Sequence, residues 1–107
     1  MANFVVIWTE TYRNKIDAWE ISDREAAEKL PQQLRENPFV GKPLSYRFLR
    51  EKRINEKRVY YLIYEDLRLV LLVATSGKKD QQTTIDYIKS HLDEFRVLAQ
   101  EIAKQGA

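Results

Sequence analysis

Cysteine is absent and histidine occurs once, at His91, so several kinds of chemistry are closed to this chain from the start. Without cysteine there is no disulfide scaffold, no thiol nucleophile and no thiolate metal site. One histidine cannot build a histidine-rich metal centre, and a cysteine–histidine pair is excluded with it. No metal and no other cofactor is expected. Glycine and proline are scarce, three of each in 107 residues, which rules out collagen-like and low-complexity designs. The longest apolar run, Leu69 to Ala74, has six residues, where a membrane helix needs about 20.

The ends of the chain tell little about targeting. Phe4-Val5-Val6-Ile7-Trp8 has no basic residue before it and no small-residue cleavage site after it, so it reads as a first strand. A cytoplasmic protein is expected. What is present fits one globular domain spanning residues 1–107: hydrophobic residues make up 44% and charged residues 32%. A chain of this length buries roughly two-thirds of its unfolded surface and needs no staple. The net charge of +2 is too mild to imply a polyanionic partner, so distribution has to decide.

Periodicity organises the chain. Residues 3–8 form a strand by their β-branched and aromatic content. Ile16 and Trp19, then Ala26, Ala27, Leu30 and Leu34, fall at helical spacings. They predict two helices that break near Ile21-Ser22-Asp23, with Ser22 and Glu25 as a capping box. Pro31 should kink or shorten the second helix, and Asn37-Pro38 should end it. Val40-Gly41-Lys42-Pro43 reads as a loop. Strands at Phe48–Ile54, Lys57–Tyr64 and Leu67–Thr75 follow, joined by two-residue turns at Asn55-Glu56 and Glu65-Asp66. Ile85, Ile88, Leu92, Phe95, Ala99 and Ile102 then make a continuous seam, predicting one helix from Lys79 to Gln105. The expected architecture is α+β, in the order β-α-α-β-β-β-α. Its four-stranded antiparallel-type sheet is a hairpin meander beside two N-terminal helices and a long C-terminal one.

Charge is concentrated on the first hairpin. Between Lys42 and Arg58 there are seven basic residues against two acidic ones, whereas Glu10 to Lys29 holds six acidic against four basic. With Asn55-Glu56 as the turn, Arg53 faces Arg58 and Glu51 faces Tyr60. Two arginines opposed on one sheet face call for an anion between them, either Glu51 or a bound phosphate. With Glu65-Asp66 as the second turn, Arg58 lies opposite Val73, close to where the chain leaves the sheet through Ser76-Gly77-Lys78-Lys79. Arg53, Arg58, Lys78 and Lys79 then converge on one corner, a candidate phosphate site. Tyr60, Tyr61 and Tyr64 read as sheet packing, and Trp8 and Trp19 as core.

The chain resembles the RelE/ParE superfamily of toxins from toxin–antitoxin systems. Asn37-Pro38, Gly41-Lys42-Pro43-Leu44, Leu49-Arg50-Glu51-Lys52-Arg53-Ile54 and Lys57-Arg58-Val59-Tyr60-Tyr61-Leu62-Ile63-Tyr64 carry the likeness. Ser76-Gly77-Lys78-Lys79-Asp80-Gln81-Gln82 completes it, in a form similar to archaeal-type members. The resemblance implies a ribosome-dependent mRNA endonuclease that cuts by attack of a ribose 2′-OH on the adjacent phosphate. Catalysis would then fall to Arg58, Lys79, Arg53 and Tyr87, the last sharing a helix face with His91. Arg47, Arg50, Lys52, Lys57 and Lys78 would bind RNA, with Lys52 also a candidate base, although the register turns it away from Arg53. The resemblance further implies a cognate antitoxin and mRNA on the ribosome as partners, with the C-terminal helix open to the antitoxin or to a second copy. The superfamily equally contains non-enzymatic inhibitors of gyrase. A third possibility within the same fold is an inactive module that binds RNA or protein.

Overall fold

The computed structural model describes residues 3–106. Five strands and four helices alternate along them: β1 (Val5–Trp8), α1 (Glu10–Asp17), α2 (Ile21–Glu36), β2 (Lys42–Leu44), β3 (Tyr46–Ile54), β4 (Lys57–Tyr64), β5 (Leu69–Ser76), α3 (Gln81–Ser90) and α4 (Leu92–Lys104). The sheet runs β1-β5-β4-β3-β2, so the expected four-stranded antiparallel sheet is corrected on two counts. Lys42–Leu44, read as loop, is a fifth strand on the outer edge of β3. And β1 pairs with β5 in parallel, because two helices intervene before the meander and return the chain to the same end of the sheet.

The strip Lys42–Leu44 is held by neighbours that sequence patterning does not display. Gly41 donates its N–H to the Tyr61 hydroxyl at 3.0 Å, and that hydroxyl donates to the Pro38 carbonyl at 2.7 Å. A Cβ at position 41 would lie 2.5 Å from the Tyr61 oxygen and 2.8 Å from the Glu51 carbonyl, so only glycine fits.

The sheet is covered on both sides. On one face α1 and α2 bury Tyr12, Ile16, Ala27, Leu30 and Leu34 against Val59, Tyr61, Val70 and Leu72. On the other, α3 and α4 bury Ile88 and Ala99 against Leu49, Tyr60, Leu62, Leu69 and Leu71. Strand β5 is apolar on both faces for that reason. Trp8 and Trp19 are only half-buried at the margin of the first core.

Three local expectations are also corrected. Helix α2 is not shortened at Pro31, which is buried within it; Glu20, not Ser22, precedes the first turn, and no side chain caps that end. The second hairpin turn is four residues, a 3-10 turn at Glu65–Leu67 closed by Arg68 in the left-handed region, φ 52°. Finally, the single long C-terminal helix is two. At the break, Ser90 Oγ and His91 Nδ1 both bond the Tyr87 carbonyl, at 2.9 and 2.7 Å. That carbonyl would otherwise accept the His91 N–H, which turns to Ile88 O instead. The seam survives the break, and its six residues all pack on the second core. Among the described residues no helix is long and apolar enough to cross a membrane.

Candidate nucleic-acid interface

The first hairpin has the register its sequence predicts: Ile54 faces Lys57, Arg53 faces Arg58 and Glu51 faces Tyr60. Asn55 takes φ 56°, a conformation asparagine tolerates better than most residues. The next strand does not follow expectation. The longer second turn, with a bulge between Tyr60 and Tyr61, sets Arg58 opposite Ser76 rather than Val73. This three-residue correction draws Arg58 closer to the exit loop, for Ser76 is followed at once by Gly77, Lys78 and Lys79. Arg53, Arg58 and Ser76 thus form one row across three strands, on the face that carries α3.

Arg58 is the unusual member of that row. It is 9% exposed, yet its guanidinium donates only to the carbonyl of Glu56, at 3.3 Å, and forms no ion pair with any described residue. An arginine with so little water and no carboxylate is costly unless a ligand supplies the anion. Glu51, the alternative anion, does not fill the role: its carboxylate accepts from Gln81 Nε2 at 3.4 Å and pairs with neither arginine. Arg53 is exposed, with Nε on the Asn55 carbonyl at 2.8 Å and a loose contact to Glu56 at 3.7 Å. Both guanidinium groups are therefore oriented by the carbonyls of the turn between them.

Beside Arg58 lies a phenol that sequence reading assigned to packing. The Tyr60 hydroxyl is 2.8 Å from Ser76 Oγ, which in turn donates to Gly77 O at 3.0 Å. Burial raises the Tyr60 pKa above its ordinary value; the Ser76 bond and Arg58 pull it down, and Glu51 adds to the rise. Tyr60 thus stays protonated at neutral pH. Its place was legible in strand parity, since it stands two residues from Arg58. Ser76 was not, because its position depends on the turn length. The exit loop is shaped by Asp80, whose Oδ1 accepts the Gly77 N–H at 2.8 Å. Lys78 and Lys79 project from it, exposed and without bonded partners among the described residues.

The remaining candidates divide. Arg50 is committed to the fold: Nε binds Arg47 O at 2.8 Å, and Nη1 binds Phe39 O and Gly41 O at 3.2 and 2.9 Å. Lys57 pairs with Asp23 of α2 at 3.0 Å. Arg47 pairs with Glu65 at 2.6 Å, but both are more than half exposed, so water and salt exchange that contact readily. Lys52 points to the α2 face, away from Arg58. Tyr87 packs at a tilt on His91, 4.2 Å between ring centroids, and lines a depression with Lys15, Thr75 and Asp80.

No protein-family model matches this sequence, and no curated protein matches it either. Solved structures do. The toxin–antitoxin complex RelBE2 from Mycobacterium tuberculosis contains a chain with TM-score 0.61 and 24% identity, covering 75% of this chain and 97% of that one. An arginine-substituted E. coli toxin RelE in the free state gives TM-score 0.69 at 15% identity, covering 84% and 98%. The same toxin bound to an antitoxin RelBc peptide gives 0.62 at 15%, covering 81% and 95%. All are bacterial, so they lend nothing to an archaeal-type assignment. At these identities the likeness is one of architecture, and over most of its length this chain has the fold of the RelE toxins.

Proposed function

We propose that the chain is the toxin of a toxin–antitoxin pair, a cytoplasmic single-domain endoribonuclease that cleaves mRNA on the ribosome. The observation that carries this reading is Arg58: a buried guanidinium with no carboxylate, facing Arg53 and paired across the sheet with Ser76, two residues before Lys78. Such a corner takes a phosphodiester. Arg58 and Lys79 clamp its non-bridging oxygens, with Arg53 assisting at the turn. A bond forms from the ribose 2′-oxygen to phosphorus and the bond to the 5′-oxygen breaks, so negative charge grows where these cations are fixed. The Tyr60 phenol, protonated and hydrogen-bonded to Ser76 beside Arg58, is the candidate proton donor to the leaving oxygen. Lys79, a point charge without arginine's planar fork, holds phosphate less rigidly than arginine would. The archaeal-type form of the Ser76–Gln82 segment remains part of this reading.

An antitoxin completes it. Val97 and Leu98 of α4 are 56% and 39% exposed, and give the partner, or a second copy, an apolar foothold on the C-terminal helix. A non-enzymatic inhibitor of a protein target such as gyrase is the second reading, favoured by the exposed apolar residues of α4. Expression of the chain and its Arg58→Ala variant, with growth followed and RNA 5′ ends mapped, separates the two. Codon-phased cuts that vanish with Arg58 support cleavage. Growth arrest with DNA damage and no new 5′ ends overturns it in favour of the inhibitor, and indifference to expression overturns both.

A further inference from the structure

A second cationic site lies around the rim of the same hairpin, on the face away from Arg58. Strand β2 pairs with β3 only as far as Glu51, so the outer edge of β3 from Lys52 to Ile54 has no neighbouring strand. Helix α2 crosses above this open edge and presents Ala26, Lys29, Leu30 and Gln33, a stripe of three- and four-residue spacings on one helix face. Between them is a depression of about 280 Å³. Its floor is Leu30 and Ile54; its walls carry Lys29, Lys52, Arg53, Gln33 and Asn55; no carboxylate lines it.

The polar groups there are available. Lys29, Lys52 and the Gln33 side chain form no hydrogen bond or ion pair among the described residues. The Asn55 amide donates to Asp23, which leaves its oxygen free to accept. Lys52 is half-buried without a counter-ion, a milder version of the condition of Arg58. Arg53 joins the two places: its strand position belongs to the Arg58 row, while its guanidinium curls over the turn onto Asn55 O and also lines the depression.

We propose that this depression is a second nucleotide subsite for single-stranded RNA, next along the strand from the phosphate held at Arg58. Lys29 and Lys52 take a phosphate, the Leu30–Ile54 floor takes the face of a base, and Gln33 with Asn55 meets the base edge. An apolar floor beneath paired amides suits a base, and a rim of cations continuous with the corner suits a backbone that runs through both. The proposal rests on the RNA reading of the corner, but Lys29 is outside the cleavage machinery and can be tested apart from it.

The test is the salt-dependent affinity of the intact chain for a fluorescent single-stranded RNA of about ten nucleotides, comparing Lys29→Ala, Lys29→Ala with Gln33→Ala, and Arg58→Ala. Lys29 is exposed, so its loss leaves the fold intact. Each lysine removed should weaken binding about fivefold and flatten the slope of log affinity against log salt by about 0.7. Weakening by both Lys29→Ala and Arg58→Ala supports the proposal. Weakening by Arg58→Ala alone overturns the subsite and leaves the corner standing; weakening by Lys29→Ala alone keeps the subsite and removes the corner. A response to neither overturns both. If a glutamate-rich peptide, and not RNA, loses affinity on Lys29→Ala, the site serves an acidic strand at the open sheet edge and the nucleotide proposal fails.

Discussion

Two groups of cations, on the first hairpin and the exit loop, have opposite fates. Arg50 and Lys57 are spent on the fold, one binding three main-chain carbonyls and the other an aspartate on α2. Arg58, Lys52, Lys78 and Lys79 have no carboxylate among the described residues. Charge density along the sequence treats the two groups alike; what separates them is whether the folded chain supplies an anion or a carbonyl. Absence of a partner is costly only where water is also absent, and Arg58 alone among these residues meets both conditions. It is therefore the sharpest pointer to a ligand, although the local excess of charge spreads over the sixteen residues of chain that precede it.

The largest expected effect tests that contrast at its strong end. Arg58→Ala should lower cleavage by about 10²–10³, the usual cost of removing one fixed donor from a developing negative charge. Thermal stability should not fall with it, because an unpaired buried charge leaves as well. Arg58→Lys should recover part of the rate. A stable variant with undiminished cleavage would mean that the corner is structural. Arg50→Ala is the mirror experiment: it should destabilise the fold by about 2 kcal/mol in urea unfolding, since three carbonyls lose a charged donor. Any activity that survives should show no change in cleavage position. If the fold is unmoved but RNA affinity falls, Arg50 belongs with the binding group and the division is wrong.

The sequence displayed one half of this site better than the other. The Asn55-Glu56 turn is fixed by two residues between two patterned strands, so the pairing of Arg53 with Arg58 could be read off by counting. The second turn could not. Glu65-Asp66 has no glycine to mark it, and the extra length comes from Arg68 in a left-handed conformation, which a β-turn count does not anticipate. The two extra turn residues, together with the one-residue bulge between Tyr60 and Tyr61, move the partner of Arg58 from Val73 to Ser76. Strand β2 escaped because three residues containing a proline carry no period, and their stability comes from Tyr61 and Arg50 at long range. Helices α3 and α4 read as one because the seam spacing continues through His91. The interruption arises from side chains competing for a carbonyl, which leaves no trace in hydrophobic pattern.

A smaller effect sharpens the contrast through pH. Asn55 and Lys57 hold the Asp23 carboxyl below its ordinary pKa, against a weaker upward push from burial. A group depressed in the folded state contributes stability that is present above its unfolded value, near pH 4, and lost as pH falls through the folded value. Asp23→Asn should therefore flatten the acid limb of the stability curve below about pH 4. It also removes the anion from Lys57, so RNA affinity at neutral pH should rise about twofold as one more cation becomes available. A flattened acid limb with unchanged affinity would show that Lys57 is kept from RNA by its position and not by its pairing.

The smallest effect supplies the control for the idea that an unpartnered buried group marks a ligand. The Tyr12 hydroxyl is also buried without a hydrogen bond, under α1, edge-on to Trp8 at 5.6 Å between centroids, and burial pushes its pKa upward. Unlike Arg58 it carries no charge and lines none of the depressions described above. Its cost is that of one lost hydrogen bond to water. Tyr12→Phe should accordingly be neutral or gain up to about 1 kcal/mol of stability by urea unfolding, with RNA affinity and cleavage unchanged. A loss of stability would reveal a partner for the hydroxyl. A loss of activity would place a second functional group on the α1 side of the sheet, far from the Arg58 row, and would remove the distinction between a buried charge that awaits an anion and a buried dipole that awaits nothing.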